Sequence, residues 1–305
     1  MSKIIVAVDE SQGSRDAIAL ASTLAGITGS TLMFVNVFPY DLRPSRALNS
    51  AFEAQLRQDS RELLDRLRSA QIDETVEVKA IANPSPSHGL HELADQEGAD
   101  LIVVGSTHTG RAGRVLPGST AERLLHGSPC PVAVAPKGYA QASDKEPAII
   151  GCGYDGSASA QRALEAARRV AAATGAQLQV IRAFEPLMYD VPPGKAPFGG
   201  MVSYNDALLA RATEELDAAV ARIETDGAEA HIKMGDAVRI LTDASEELDL
   251  LLVGSRGYGP MHAVLVGGVA GRLVTEAACP VIVFPRSAGH TEDDSLFAKT
   301  AVLHG

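Results

Sequence analysis

Short apolar runs alternate along the first half of the chain with longer segments in which apolar residues recur every three or four positions. The short runs are rich in Ile and Val, as expected of strands covered on both faces, and the longer segments have the period of amphipathic helices. The pattern predicts strands over residues 3–8, 31–37, 75–81, 101–104 and 132–135, and helices over residues 15–26, 48–70, 87–97 and 120–126. Ser14 is the predicted N-cap of the first helix, and Gly29 lies just beyond its end.

The second half of the chain repeats this alternation. The predicted strands cover residues 148–153, 177–183, 229–234, 250–253 and 281–284, and the predicted helices cover residues 159–174, 204–225 and 237–247. Strands separated by helices form a parallel sheet with right-handed crossovers, so the predicted class is α/β. Residues 185–203 are rich in Pro and Gly and are predicted as a loop, which is either a lid over a binding crevice or a longer connection.

The spacing of matching residues indicates that the two halves are copies of one domain. Gly105 and Gly254 end corresponding strands and are 149 residues apart. A repeat of this length is a duplicated domain and not a short solenoid unit. Asp9 and Asp155 follow the first strand of each half and are 146 residues apart. An insertion within residues 185–203 is the predicted source of the difference.

The length of the chain agrees with this duplication. At 305 residues it suits two domains of about 150 residues, each large enough for its own core. The predicted division is a first domain over residues 1–137, a polar linker over 138–146, a second domain over 147–286 and a C-terminal tail over 287–305.

Charge and cysteine content exclude several classes of protein. A net charge of −11 argues against sequence-independent nucleic-acid binding, which needs a basic face. The three cysteines are too few and too scattered for a disulfide framework. The N-terminus has no signal-peptide core, and no apolar run is long enough to span a membrane. We therefore expect a cytoplasmic protein without a membrane or nucleic-acid partner.

The glycine-rich segment after the fourth strand of each half is the candidate chemical feature. A strand that ends in Gly and leads to a helix start gathers backbone N–H groups around one point, which suits a phosphate. Glycine there also serves tight packing alone, and the pattern does not separate the two roles. If the strand order is 3-2-1-4-5, Asp9 and Gly105 face one crevice, where an aspartate accepts hydrogen bonds from a nucleoside.

Both halves resemble the universal stress protein (UspA) family, over residues 1–136 and 147–286. The resemblance rests on Val-Asp-Glu-Ser at residues 8–11, on Gly-Ala-Asp-Leu-Ile-Val-Val-Gly-Ser at residues 98–106 and on Pro-Cys-Pro-Val at residues 129–132. It implies two Rossmann-like, doubly wound domains with five-stranded parallel sheets in the order 3-2-1-4-5. It also implies that the last strands of the two domains pair, so that one chain forms an internal pseudo-dimer.

Members of this family that bind ATP carry Gly-x2-Gly-x9-Gly-Ser/Thr after the fourth strand. The resemblance therefore implies a nucleotide site in each half, for ATP with or without Mg²⁺. In the first half the implied residues are Asp9, Val37, Gly105, His108, Gly118, Ser119 and Thr120. In the second half they are Asp155, Ala183, Gly254, Gly257, Gly267 and Gly268. No catalytic residue and no protein-held metal site is predicted.

Neither copy of the motif is intact. His108 occupies the second glycine position of the first copy, which costs about 1 kcal/mol or more if that position needs a positive φ. Gly268 replaces the Ser/Thr of the second copy, and the lost hydrogen bond to a charged group is worth about 1.5–3 kcal/mol. Because Gly257 keeps the backbone N–H groups accessible, the second half is the favoured phosphate site.

The sequence predicts a binding protein and not an enzyme, because no nucleophile, base and orienting group occur together. The first interpretation is a stress-response protein in which an adenine nucleotide acts as a conformational switch toward an unknown protein partner. The alternative is an interaction module that binds no nucleotide, which the two broken motifs favour. A third class, an adenylating enzyme, lacks a recognisable pyrophosphate-releasing loop. Homodimerisation of the chain remains open.

Overall fold

The structure is a computed structural model that describes residues 2–40, 50–70, 76–106, 120–142, 146–186, 198–223, 225, 227–255 and 268–286. The C-terminal tail and residues 187–197 of the predicted loop lie outside this set, as do five of the predicted nucleotide-site residues. These five are His108, Gly118, Ser119, Gly257 and Gly267.

The first domain is a parallel sheet with helices on both faces. Its elements are β1 (Lys3–Ala7), α1 (Gln12–Thr28), β2 (Thr31–Phe38), α2 (Ser50–Ser69), β3 (Glu77–Ala82), α3 (Pro86–Glu97), β4 (Leu101–Gly105), α4 (Thr120–Leu124) and β5 (Val132–Ala135). The strands lie in the order β3-β2-β1-β4-β5, and each neighbouring pair is parallel. The predicted α/β class and the strand order 3-2-1-4-5 are confirmed.

The second domain has the same plan and follows a short connecting helix, α5 (Tyr139–Ala142). Its elements are β6 (Ile149–Gly153), α6 (Ala158–Thr174), β7 (Gln177–Phe184), α7 (Phe198–Arg222), β8 (Glu229–Met234), α8 (Ala237–Ala244), β9 (Leu250–Gly254), α9 (Val269–Glu276) and β10 (Val281–Phe284). The strands lie in the order β8-β7-β6-β9-β10. The helix α7 begins at Phe198, so residues 198–203 are helical and their assignment to a loop was wrong.

The lengths of the connections explain the two offsets between the halves. Residues 185–228 connect β7 to β8 and are six more than residues 39–76, which connect β2 to β3. Residues 235–249 connect β8 to β9 and are three fewer than residues 83–100, which connect β3 to β4. The β7–β8 connection therefore contains six extra residues, where the offset predicted three. The β8–β9 connection, which includes α8, is three residues shorter, and this brings the offset back to 149.

The last strands of the two domains join the sheets into one ten-stranded sheet. They pair antiparallel, with Val134 opposite Val281 and Val132 opposite Val283. The implied internal pairing is confirmed. Because all other pairs are parallel, the antiparallel joint places the carboxyl ends of the first domain's strands at one edge of the sheet. The carboxyl ends of the second domain's strands lie at the opposite edge.

Alternate strand residues supply two apolar cores, one on each face of the sheet. One core contains Ile4 and Phe34 from the first domain together with Leu252 from the second, and it is covered by α1, α2, α6 and α7. The other core contains Ile5 and Leu251 and is covered by α3, α4, α8 and α9. Each core is continuous across the joint, so burial of apolar surface binds the domains to each other. No helix among the described residues is long and apolar enough to cross a membrane.

A buried carboxylate fixes the connection between the domains. Asp16, on α1, is 1% exposed. One of its oxygens accepts a hydrogen bond from the Gly138 N–H at 3.0 Å, and the other accepts one from the Ala140 N–H at 2.9 Å. Part of the segment predicted as a linker is thus the helical turn α5. The Asp16 carboxylate caps the start of this turn and so holds it against α1.

Candidate functional site

The described candidate residues lie at the carboxyl edge of their own domain. Asp9 and Asp155 follow β1 and β6, and Gly105 and Gly254 end β4 and β9. Val37 and Ala183 lie near the ends of β2 and β7 and pack against the core on the α3 and α8 face. Thr120 is the first residue of α4, and Gly268 is the N-cap of α9. The antiparallel joint therefore separates two crevices, one at each edge of the sheet.

The end of β1 and the first turn of α1 form the first crevice around Asp9. The Asp9 carboxylate oxygen Oδ1 accepts hydrogen bonds from the Ser11 N–H at 2.9 Å, the Ser11 hydroxyl at 2.5 Å and the Ser14 hydroxyl at 2.7 Å. The Asp9 N–H in turn donates to Ser14 Oγ at 2.7 Å. These three donors all bond to Oδ1 and not to Oδ2.

These contacts overturn the predicted cap of α1. The helix begins at Gln12, and its N-cap is Ser11 and not Ser14. Ser14 lies inside the helix, is buried and bonds to Asp9, because a hydroxyl one turn into the helix reaches the strand end. Gly29 at the other end has a φ of 66° and is the predicted left-handed cap.

The charge of Asp9 is stabilised by these hydroxyl groups. Partial burial acts to raise its pKa, but the hydrogen bonds from Ser11 and Ser14 outweigh burial and lower the pKa below the ordinary value of 3.8. The crevice therefore presents a carboxylate anion at neutral pH, a group that can accept hydrogen bonds from N–H and O–H groups.

The second crevice lacks one of these hydroxyl groups. The Asp155 Oδ1 accepts a hydrogen bond from the Ser157 N–H at 2.9 Å, as Asp9 does from Ser11. The residue in the place of Ser14 is Ala160, and its N–H donates to Ser157 Oγ at 3.2 Å. The N-cap serine of α6 thus caps its own helix, whereas the N-cap serine of α1 bonds to the aspartate. The two crevices share a plan and differ in the partners of the carboxylate.

The role of the Ser14 hydroxyl can be tested by substitution. We expect Ser14→Ala to raise the pKa of Asp9, because it removes one of the hydrogen bonds that stabilise the carboxylate. The lowered pKa of Asp9 stabilises the folded protein at pH values above the pKa that Asp9 has in the unfolded chain. This stabilisation is lost as the pH falls through the lower pKa of the folded protein. Ser14→Ala should therefore make stability less dependent on pH below about pH 4. Carboxyl NMR titration measures this shift, and an unchanged Asp9 pKa in Ser14→Ala contradicts the assigned hydrogen bond.

The two strand-end glycines are required by packing. A Cβ atom on Gly105 would lie 2.0 Å from the Gly13 carbonyl oxygen, and one on Gly254 would lie 2.6 Å from both Ala160 N and Ser159 Oγ. The first turn of α1 or α6 therefore sits directly on the end of β4 or β9. The packing role that the sequence left open is real at both positions, and it brings the helix start, the aspartate and the strand end together.

The sequence did not identify the polar groups that border these crevices. Asn36 is near the end of β2 and donates its amide to the Val8 carbonyl at 2.7 Å. Arg182 holds the matching place on β7, where it pairs with Glu215 at 3.0 Å. Their signal in the sequence is a polar residue inside an apolar strand run. In addition, the buried Ser106 hydroxyl, which directly follows β4, has no hydrogen-bond partner within the described part of the chain.

His88 and His91 lie three residues apart on α3, a spacing that metal-binding helices use, and each makes a contact within the protein. His91 Nε2 lies 3.0 Å from the Leu124 carbonyl at the end of α4, and burial lowers the pKa of its imidazole. His88 lies 3.2 Å from Glu92. Within the described residues, no three His, Cys, Asp or Glu side chains are grouped as a metal site.

The fold and the paired crevices define a tandem Rossmann-like α/β protein, and comparison with known proteins gives its family. The sequence model of the universal stress protein family matches residues 1–136 and 148–285. The chain therefore belongs to the universal stress protein family.

Individual relatives agree with this assignment. A universal stress protein of Mycobacterium tuberculosis is 28% identical over 207 residues, which are 67% of this chain and 70% of the relative. One from Thermus aquaticus is 33% identical over 135 residues, which are 43% of this chain and 93% of the relative. A crystal structure of a universal stress protein from Archaeoglobus fulgidus matches with a TM-score of 0.67 at 19% identity, covering 93% of this chain and 98% of that one.

Proposed function

We propose that this chain is a stress-response binding protein that takes up ATP or another adenine nucleotide in the crevices at the two edges of its sheet. The observation that carries the proposal is the shared juxtaposition of an aspartate, a helix start and a glycine-ended strand in both domains. Asp9 in the first crevice and Asp155 in the second are the groups that we expect to accept hydrogen bonds from the nucleoside.

The polar atoms of the first crevice fit a nucleoside. Asp9 keeps Oδ2 clear of the donors that the described residues supply, and the Ser106 hydroxyl is buried at the end of β4 without a partner there. A buried hydroxyl that lacks a partner costs about 1–3 kcal/mol, and a bound ligand would recover this cost. The phosphates would lie toward the glycine segments after β4 and β9, where Gly257 favours the second crevice.

Nucleotide binding would act through the helix starts. Since the first turn of α1 touches both Asp9 and the end of β4, a ligand between them would favour one position of α1 and of the segment after β4. The described chemistry supports binding and a shift in conformation, and we propose no catalytic step. The two crevices lie at opposite edges, so one nucleotide cannot bridge them, and each domain would bind its own.

The second candidate is an interaction module without nucleotide. The two incomplete glycine motifs favour it, and the continuous sheet would then serve to present a fixed surface to a protein partner. The two candidates differ in whether the chain binds a nucleotide in these crevices at all.

Substitutions in the second crevice test the proposal. We expect Asp155→Ala to weaken ATP binding about tenfold to a hundredfold, because a hydrogen bond to a charged group is worth about 1.5–3 kcal/mol. Gly257→Ala should weaken it as well, by restricting the approach of the phosphates. Asp243→Ala removes the same charge from an exposed position on α8 and is the matched control. Equal affinity in all three variants would contradict the proposed site.

A further inference from the structure

A cavity of about 250 Å³ lies between the two domains, away from both strand-end aspartates. One wall is the side of α1, and another is formed by the connecting helix α5 together with Glu146 and Pro147. The third wall is formed by the residues at the amino ends of β9 and β10. Its volume is just below the range of ordinary ligand pockets, which run from about 300 to 1,000 Å³. The cavity therefore suits a small ligand.

The cavity has an apolar floor and an acidic rim. Leu20, Leu24 and Leu250 form part of the floor and are almost completely buried. Asp249 and Glu146 stand at the rim and are both exposed. None of the described lining residues is basic. The Cys279 thiol also lines the cavity, and because burial raises its pKa to about 12, it adds no charge at neutral pH.

The walls of the cavity are held in place. The two hydrogen bonds of Asp16 fix the connecting helix against α1. The Asp249 oxygen Oδ2 accepts hydrogen bonds from the N–H groups of Ala148 and Ile149, each at 2.9 Å. The rim carboxylate of Asp249 is thus oriented by the start of β6.

The duplicated fold shows what this place carries in the other half. Thr23 lines the cavity from α1, and the residue in the same place on α6 is Arg169. Arg169 pairs with Glu165 at 2.8 Å. The position that bears a guanidinium on α6 thus bears the small neutral side chain of Thr23 on α1. Asp249 and Glu146 line the same cavity, and none of the described lining residues is basic.

We propose that this interdomain cavity binds a small cation with an apolar body, such as a primary alkyl- or arylammonium compound. The apolar part fills the space over Leu20, Leu24 and Leu250, and the ammonium group lies at the rim near Asp249 and Glu146. Charge complementarity selects a cation over a neutral or anionic compound of the same shape. The site is independent of the nucleotide crevices.

Titration calorimetry of the full chain with three probes of similar shape tests the charge selectivity. We expect phenethylammonium to bind saturably and at least about tenfold more tightly than phenethyl alcohol, which retains only the apolar contact. The anion 3-phenylpropanoate should not bind. Equal binding of the ammonium compound and the alcohol, or no saturable binding of the ammonium compound, overturns the proposal.

Two substitutions that place residues of α6 at the matching positions of α1 test where the ligand binds. Thr23→Arg places in the cavity the guanidinium that α6 carries and should abolish phenethylammonium binding. Ser22→Arg adds the same charge at the neighbouring exposed position, where α6 has Arg168, and should leave binding within about twofold. Thermal unfolding of both variants verifies that they fold. If a folded Thr23→Arg variant binds as the unaltered chain does, the ligand does not occupy this cavity.

Discussion

Gly105→Ala should destabilise the protein by about 3–5 kcal/mol, the largest effect that we expect of a single methyl group. The added Cβ would lie 2.0 Å from the Gly13 carbonyl oxygen and 2.6 Å from Gly13 Cα, and these are backbone atoms that cannot rotate away. Relief requires α1 to move off the end of β4, which would open the core beneath it. Urea unfolding measures the loss, and a fall in Tm of about 10 °C should accompany it.

Gly26→Ala is the matched control for this substitution. Gly26 is on α1, the helix that packs on Gly105, and it is exposed. The position that its Cβ would take has no neighbouring atom within 4 Å outside the helix's own backbone. Alanine there should stabilise the helix by about 0.5–1 kcal/mol. If Gly105→Ala is as stable as the unaltered chain, α1 does not sit on the end of β4 and the described crevice is wrong. The measurement needs no nucleotide, so it tests the geometry separately from the proposed function.

Asp16→Ala should have the second largest effect, a loss of about 1–3 kcal/mol. The substitution removes a carboxylate that is 1% exposed and leaves the Gly138 and Ala140 N–H groups without the acceptors that now hold them. Asp16→Asn keeps one acceptor oxygen and should lose about half as much. Hydrogen exchange of the two amides reports the contact directly.

The expected result of that exchange experiment is faster exchange at Gly138 and Ala140 in Asp16→Ala, with intermediate rates in Asp16→Asn. Amides in β6, beyond the connecting helix, should stay protected, because the strand ladder with β7 and β9 holds them. Unchanged exchange at both connecting residues would show that Asp16 does not hold the domains' connection.

The strands follow from the sequence because both faces of the sheet are buried, whereas their order came from the family resemblance. Continuous apolar runs such as Leu101–Gly105 have no other favourable place than the middle of a parallel sheet. The duplication then transfers the order of one half to the other. The family resemblance, and not the apolar pattern, supplied the pairing of β5 with β10, and the structure adds that the pair is antiparallel.

The errors and omissions arise where long-range contacts outweigh local preferences. Ser11 and Ser14 are both good N-cap residues, and only the position of Asp9 decides between them. The first turn of α7 contains Gly199 and Gly200, which locally favour a loop, although the helix begins at Phe198. The helical turn at Tyr139–Ala142 depends on a carboxylate more than a hundred residues earlier in the chain, which no local pattern records.

The candidate site was predicted in outline and not in its chemistry. The strand order alone places Asp9 beside the end of β4. The hydroxyl groups that hold the Asp9 carboxylate and the burial of the Ser106 hydroxyl depend on side-chain geometry. Ala160 is visible in the sequence, but its meaning follows only once Ser14 is placed beside Asp9. The glycine segments from which the resemblance implies phosphate contacts lie mostly outside the described residues, so the phosphate roles of Gly257 and Gly267 stay predictions.

Calorimetric titration of nucleotide-free protein with Mg-ATP tests the central claim most directly. The proposal predicts saturable binding with a micromolar Kd, which corresponds to about 8 kcal/mol, and a rise in Tm with increasing ATP. The absence of both binding heat and a shift in Tm at millimolar ATP would contradict nucleotide binding. The chain would then be an interaction module of the universal stress protein family.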